Sequence, residues 1–170
     1  MDELGRASAS EHLNANKLSV RVILDDVRSR HNVGSIFRTA DAMGLEGLIL
    51  CGFTPLPPHR EIEKTALGAT LSVPWVHEPT TLEAVRRLQR EGYRVIAVEQ
   101  TAYALPLNSL MLGPKERVAI VLGNELNGVN DEVIEACDGC VVIPQRGSKH
   151  SLNVSVCAGI VLWWLTERAD

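Results

Sequence analysis

This chain has little of what would mark it as a membrane, secreted or metal-scaffold protein. Cysteines number four, too few for a disulfide-dense framework. Cys137-Asp-Gly-Cys140 has the spacing of half a zinc site, but Cys51 and Cys157 stand alone in apolar segments, so all four read as small core hydrophobes and no metal is expected. No apolar run reaches the roughly 18 residues that a membrane span needs. Met1 to Leu18 is mixed polar and charged without an apolar h-region, so no signal peptide is read and a cytoplasmic location is expected. Positive charge is short too: 17 Lys and Arg stand against 21 Asp and Glu, a net charge of −4, which argues against a general nucleic-acid coat. Any basic surface must be local, with Arg28, Arg30, His31 and Arg38 near one motif and Arg146, Lys149 and His150 near another. Aromatic residues are only 4% of the chain.

What is present is ordinary globular material, 45% hydrophobic and 22% charged over 170 residues. That length suits one domain able to bury roughly 70% of its unfolded surface. No internal repeat or low-complexity linker divides it. Residues 1–17 read as an N-terminal arm and residues 18–170 as a single domain. Strand and helix signals alternate from Leu18 onward, which predicts an α/β fold with a mainly parallel sheet. Strands are expected near Val20–Leu24, Gly47–Cys51, Tyr93–Val98, Val118–Leu122 and Cys140–Ile143, with a short extra strand around Val73–His77. Helices are expected from near Asn32 to Gly44, from Thr80 or Thr81 to Glu91, over Asp131–Ala136, and from a Ser151 N-cap through Trp164. The prolines of Thr54–His59 argue for a rigid loop.

The last helix carries the sharpest anomaly. Val156 to Leu165 is apolar on every face, which predicts burial all round, yet Asn153 and Ser155 lie in its first turn. Buried polar side chains need partners. Both can extend the capping of the helix start, and for Ser155 alone that is the favoured reading. Ser151, Asn153 and the preceding loop with Gly147 together favour a ligand site.

Two further polar clusters fall beyond strand ends, where open α/β sheets gather ligands. In the first, Asn32 stands at a helix start with Arg38 six residues on. Asn32 has a plain N-cap as its structural alternative. Arg38, amid Ile36, Phe37 and Ala40, calls for a carboxylate or phosphate partner; an internal pair with Asp41 or Glu125 is its alternative. In the second, Leu122-Gly-Asn-Glu-Leu-Asn-Gly128, two glycines bracket a carboxylate, which lets backbone amides approach a ligand. Alone it is a weak signal. It is neither the Gly-x-Gly-x-x-Gly dinucleotide fingerprint nor a phosphate loop ending in Gly-Lys-Ser/Thr.

Asn32-x-Gly34-x-x-x-Arg38, Gly123-Asn-Glu125-x-x-Gly128 and Ile143-Pro-x-x-Gly-x-x-x-Ser151-Leu-Asn-Val-Ser155, in that order, resemble the three signature motifs of the SpoU (TrmH-like) RNA 2′-O-ribose methyltransferases of the SPOUT class. The resemblance covers about Val20 to Leu165. It implies a C-terminal deep trefoil knot, an S-adenosylmethionine site made by the knot loops, and a homodimer with the active site near the subunit interface. It places Asn32, Arg38, Glu125, Ser151 and Asn153 at catalytic positions, and the cofactor among Glu99, Gln100, Leu122, Gly123, Ile143, Gly147 and Leu152. The substrate it implies is RNA, with tRNA ahead of rRNA, captured by the core dimer or with the help of an accessory protein, since relatives often carry an extra RNA-binding domain or basic extensions.

Two other classes compete. A non-catalytic RNA-binding dimeric scaffold would keep the pocket as a relic, against which the intact Asn32, Arg38, Ser151 and Asn153 speak. A small hydrolase would use Ser151 and His150, but there is no Gly-x-Ser-x-Gly elbow, and adjacency in sequence does not give a triad. Methylation of a base instead of a ribose is a closer rival.

Overall fold

The computed structural model describes residues 17–148 and 151–168. Its elements run β1 (Leu18–Asp25), α1 (Arg30–Ala42), β2 (Leu45–Cys51), α2 (Arg60–Ala66), α3 (Ala69–Ser72), β3 (Trp75–Glu78), α4 (Thr81–Arg90), β4 (Arg94–Val98), β5 (Leu105–Pro106), a 3-10 turn (Leu107–Ser109), β6 (Val118–Leu122), α5 (Asp131–Ala136), β7 (Gly139–Val142) and α6 (Val154–Thr166). The strands form one sheet in the order β3-β2-β1-β6-β4-β7-β5, and every strand pair is parallel. The parallel α/β expectation therefore holds, and the expected strands and helices lie within a few residues of the observed ones.

Alternation along the strands divides the interior in two. Val20, Val22 and Leu24 of β1 and Ile120 and Leu122 of β6 pack with α1, α2 and α6 on one face. Ile23, Ala119 and Val121 pack with Ala84, Val85 and Leu88 of α4 and Val133 and Ile134 of α5 on the other. A sheet covered on both faces needs strands that are apolar throughout, which is why β6 is buried at all five positions.

Four expectations are corrected. Helices α2 and α3 and strand β5 were missing from the expected elements, while Thr54–His59 is free of helix as expected; the two helices are short, of seven and four residues, so periodicity had little to register. Helix α1 is capped by Ser29, whose Oγ accepts from the Asn32 amide at 3.3 Å, so Asn32 is not the cap. Helix α6 is capped by Asn153, not Ser151. Nor is α6 buried all round: Val156, Ile160 and Trp163 are 52%, 38% and 55% exposed, an apolar stripe at i, i+4 and i+7 that the sequence cannot tell from the buried face beside it. Of the cysteines, Cys51 and Cys140 are buried, while Cys137 and Cys157 are partly so, and all are free thiols. Among the described residues no helix is long and apolar enough to cross a membrane, and no group of three or more His, Cys, Asp or Glu is placed to hold a metal ion. The expected arm, residues 1–17, lies outside the described residues except for Lys17.

Candidate active site

The sheet order reverses direction at β1 and β6. The chain leaves β1 toward β2 on one side and leaves β6 toward β7 on the other, so the loops beyond these two strands diverge and open a crevice at their carboxyl ends. Glu125 of the β6 loop reaches across it. Its Oε2 accepts from the Arg28 amide at 2.8 Å, and its Oε1 accepts from the Ser29 amide and from Asn32 Nδ2, both at 2.9 Å. Burial alone would raise this carboxyl's pKa, but the hydrogen bonds from Arg28, Asn32 and Ser29 outweigh it and hold the group below the usual glutamate value.

The polar chain continues from Asn32. Its Oδ1 accepts from Asn153 Nδ2 at 3.2 Å, while Asn153 Oδ1 accepts from the Ser155 amide at 2.9 Å, the Ser155 hydroxyl at 2.6 Å and the Val156 amide at 3.3 Å. Chemistry orients both amides. Capping the helix requires the oxygen of Asn153 to face α6, which turns its NH2 to Asn32; Asn32 must then offer its oxygen there and its NH2 to Glu125. Three segments far apart in sequence thus close one line, from Ser155 through Asn153 and Asn32 to Glu125.

Asn124 sets the turn that carries Glu125. It is 8% exposed; its Nδ2 donates to the Asp26 carbonyl at 2.7 Å and its Oδ1 accepts from the Leu126 and Asn127 amides at 2.9 and 3.1 Å. The turn closes as a two-way backbone bridge between Asn124 and Gly128. At Gly123 a Cβ would run into the main chain of Gly128 and Val129, so only glycine lets the turn fold back so tightly.

Beside this line lies an open cleft of about 410 Å3, bounded by Val98, Glu99 and Gln100 after β4, Leu122 to Gly128 after β6, Val142, Ile143 and Gln145 after β7, and Ser151 to Val154 with Cys157 at the start of α6. Of the residues expected to bind a cofactor, Glu99, Gln100, Leu122, Gly123, Ile143 and Leu152 line it, as do Glu125, Ser151 and Asn153. Gly147 instead borders a shallower depression next to it, with Gln100, Ile143 and Gln145. Glu99 is less available than expected, because its carboxylate accepts from the Gln100 amide at 2.8 Å and the Val129 amide at 3.0 Å and so braces the turn.

Arg38 is the exception. Six residues beyond Asn32 on a helix, it is turned roughly 120° away and displaced about 9 Å along the axis. It is exposed and outside the cleft, and among the described residues neither Glu125 nor Asp41 pairs with it. Glu125 is committed to Asn32 and the Arg28–Ser29 backbone instead. Lys149 and His150 lie outside the described residues. The amides of Arg28 and Ser29, with Asn124, Gln145 and Cys157, complete the site and were not singled out from sequence; for Asn124 the signal was its place inside the Gly-x-Glu turn.

A model of the SpoU rRNA Methylase family matches residues 19–163. The chain is 31% identical over 169 residues to the 23S rRNA (guanosine-2′-O-)-methyltransferase RlmB of Vibrio parahaemolyticus, covering 94% of this chain and 67% of that one. It is 35% identical over 142 residues to RlmB of Escherichia coli K12, covering 84% and 57%. Among solved structures it resembles an AdoMet-bound rRNA methyltransferase from Sinorhizobium meliloti at 30% identity and a TM-score of 0.82, covering 94% of this chain and 60% of that one. It also resembles the TrmH/SpoU tRNA modifying enzyme of A. aeolicus at 26% identity and a TM-score of 0.83, covering 94% and 80%. The chain thus spans between 57% and 67% of the length of the two RlmB relatives.

Proposed function

From the chain's place in the SpoU rRNA Methylase family, to which it belongs, we propose that it transfers a methyl group from S-adenosylmethionine to a ribose 2′-hydroxyl of RNA. The observation that carries this reading is the line Glu125–Asn32–Asn153, which joins the three motifs at the mouth of a cleft of cofactor size.

The cleft's chemistry suits the cofactor. Val98, Leu122, Ile143, Leu152 and Cys157 offer apolar walls for a flat base, while Gln100, Gln145 and the main chain at Gly123 offer polar groups to fix it. When bound, S-adenosylmethionine would supply an electrophilic methyl group to the ribose 2′-oxygen, which gives up its proton to solvent as the oxygen–carbon bond forms and the carbon–sulfur bond breaks. The protein's own residues position that oxygen. Asn32 and Asn153 each keep one amide hydrogen beyond those spent on Glu125 and Asn32, which leaves each a donor for the substrate. Ser151 is exposed on the cleft wall and can hold the ribose. Glu125 is poorly suited to accept the proton, since three donors already hold it ionised with a lowered pKa. Arg38, a guanidinium cation with five N–H donors, can clamp a phosphate of the substrate and polarise the hydroxyl.

Ribosomal RNA stands at least level with tRNA as the substrate, because the RlmB relatives are named for 23S rRNA and the A. aeolicus enzyme for tRNA. The reading includes a homodimer built on the exposed apolar stripe of α6, which would bring Arg38 within reach of a cleft, a C-terminal trefoil knot, and an accessory protein for RNA capture where the dimer alone binds RNA weakly.

The test is calorimetric titration with S-adenosylmethionine and S-adenosylhomocysteine, followed by transfer of labelled methyl to unmodified rRNA and tRNA transcripts. Methylated 2′-oxygens are then mapped by resistance to alkaline cleavage, which needs a free 2′-hydroxyl. Saturable binding and alkali-resistant linkages are expected. Label on a base, or a folded protein that binds neither nucleoside, overturns the reading.

A further inference from the structure

We propose that Phe53, with Arg28 on the loop to which its turn is tied and Arg60 at the start of α2, is a stacking platform for an unpaired nucleobase next to the methylated nucleotide. The proposal rests on the reading of this protein as an RNA methyltransferase and names a part of that substrate's binding surface.

Phe53 is an aromatic residue in a chain that has seven, and it is 64% exposed. An exposed phenylalanine on a loose loop would mean little. This one is presented by a turn fixed on both sides. Its own amide donates to Asp26 Oδ1 at 2.9 Å. Asp26 holds a left-handed φ of 52°, and Gly52 before Phe53 has φ 59° with no room for a Cβ against the Asp26 carboxylate. After it, Thr54 is 2% exposed; its Oγ1 donates to the Leu24 carbonyl at 3.2 Å and accepts from the Val27 amide at 3.1 Å. Every one of these bonds ties the turn after β2 to the end of β1 or to the loop after it. A backbone tied down so thoroughly around an apolar ring left in water needs a reason outside the fold, because core packing is served by hiding the ring.

The position supplies one. The loop that holds the Phe53 turn, Asp26 to Ser29, is the same loop whose next two amides, of Arg28 and Ser29, hold Glu125. Phe53 and the line through Glu125, Asn32 and Asn153 are therefore fixed to one short rigid segment, on the same carboxyl edge of the sheet. The charges around it favour RNA over a protein partner. Arg28 and Arg60 are exposed and form no ion pair among the described residues, although the chain as a whole is acidic; nearby Arg30 is paired with Glu61 at 3.6 Å. An exposed aromatic face with unpaired arginines on the adjoining segments suits a base and its phosphates, since every base offers a π-face and stacking does not require a fixed sequence. The S-adenosylmethionine cleft does not include Phe53, so its role is separable from cofactor binding.

The experiment compares wild type with Phe53→Ala, Phe53→Leu and Phe53→Trp. Affinity for a fluorescein-labelled single-stranded RNA of mixed sequence is read by anisotropy, S-adenosylmethionine affinity by calorimetry, and KM and kcat on the transcript that the wild type methylates. Phe53→Ala is expected to weaken RNA binding and raise the RNA KM by roughly ten-fold, in keeping with the loss of one stacked base, with cofactor affinity and melting temperature unchanged. Phe53→Trp should restore binding and Phe53→Leu should not. Unchanged RNA affinity in Phe53→Ala, or full rescue by leucine, which would indicate an apolar contact with protein, overturns the proposal. A wild type that binds RNA through Phe53 yet transfers no methyl group to any transcript would keep the platform and sink the methyltransferase reading, so the two failures are distinct.

Discussion

Asn153 and Asn32, 121 residues apart in sequence, meet beside the cleft with Asn153 Nδ2 donating to Asn32 Oδ1 at 3.2 Å. The same Asn153 side chain caps α6 through its oxygen. One residue thus starts the last helix and ties it to the loop–helix junction after β1, so the helix cannot shift without disturbing the line to Glu125. These two duties can be separated by substitution. Asn153→Ser keeps a cap acceptor but lacks the reach and the donor for Asn32; Asn153→Ala loses both. We expect Asn153→Ala to cost about 1 kcal/mol from the lost cap, seen as a lower melting temperature, and Asn153→Ser to retain most of it. Both should lose methyl transfer. A serine variant with wild-type turnover would show that the Asn32 contact is dispensable.

Legibility from sequence followed the physics of each signal. The central strands were readable because a sheet covered on both faces demands continuous apolar runs, as in Val118–Leu122, and because turn residues bound them. Asn153 was readable as an anomaly, a polar side chain at the head of an apolar helix. Its role as cap was assigned to Ser151, since serine and asparagine are near-equal caps and only the backbone decides between them. Asn32 was likewise open between cap and ligand residue, and the observed cap Ser29, three positions earlier, settles that question for the fold. The exposure of Val156, Ile160 and Trp163 was not legible, because an apolar residue reads the same whether its neighbour is its own chain or another. Arg38 entered the site through the resemblance, and its place relative to the cleft was not legible, because a spacing of six on a helix puts it on a different face from Asn32 and outside the cleft of its own chain.

Glu125 gives the pH prediction. Its folded pKa lies below the ordinary glutamate value, so the stability it contributes is present above the unfolded pKa of about 4.3 and is lost as pH falls through the folded value. Glutamine at this position does not titrate. The difference in unfolding free energy between wild type and Glu125→Gln should therefore be constant near neutrality and shrink only as the solution is taken below about pH 4.3. Denaturant melts of both proteins across that range check it. A difference that changes between pH 6 and 8 would mean the carboxyl is not held by Arg28, Ser29 and Asn32.

Gly123 gives a prediction about the turn. A methyl group there meets the main chain of Gly128 and Val129, and main chain cannot rotate away as a side-chain tip can. Gly123→Ala should cost at least the roughly 1–3 kcal/mol typical of overpacking, and it should displace the Asn124–Gly128 bridge and with it Glu125. The expected outcome is a lower melting temperature together with loss of S-adenosylmethionine binding by calorimetry. Unaltered cofactor affinity in this variant would place the nucleoside away from the β6 turn.

Cys157 reports on the cleft directly. Burial, with a smaller contribution from the charge of Glu99, pushes its thiol up to about 11, and the residue lines the cleft. Since the thiolate is the nucleophile, roughly one molecule in a thousand is reactive at pH 8. Alkylation by iodoacetamide, followed at Cys157 by peptide mass spectrometry, should be slow at that pH, should accelerate as pH rises toward 11, and should be slowed further by S-adenosylhomocysteine. Rapid labelling at neutral pH that the nucleoside does not affect would contradict both the burial of this thiol and the location of the cofactor.

Arg38 decides whether one chain suffices. It is exposed and unpaired among the described residues, so Arg38→Ala should leave the melting temperature and cofactor affinity unchanged, yet abolish turnover if the guanidinium clamps the substrate. Since it lies outside the cleft of its own chain, the proposed homodimer predicts that a second copy delivers it. Mixing Arg38→Ala with Asn153→Ser, each inactive alone, separates the cases. If Arg38 acts within its own chain, every cleft in a mixed dimer carries a lesion and no activity returns. If it acts on the partner's cleft, the Arg38→Ala chain keeps an intact Asn153 and receives an intact arginine, so half of the dimers regain one of two sites and about a quarter of wild-type activity returns under random exchange. Trp163→Asp, which puts a charge in the exposed stripe of α6, should then remove that recovered activity by separating the chains, read as a shift to monomer mass in light scattering. Recovery that persists in a monomer would refute delivery by a second copy.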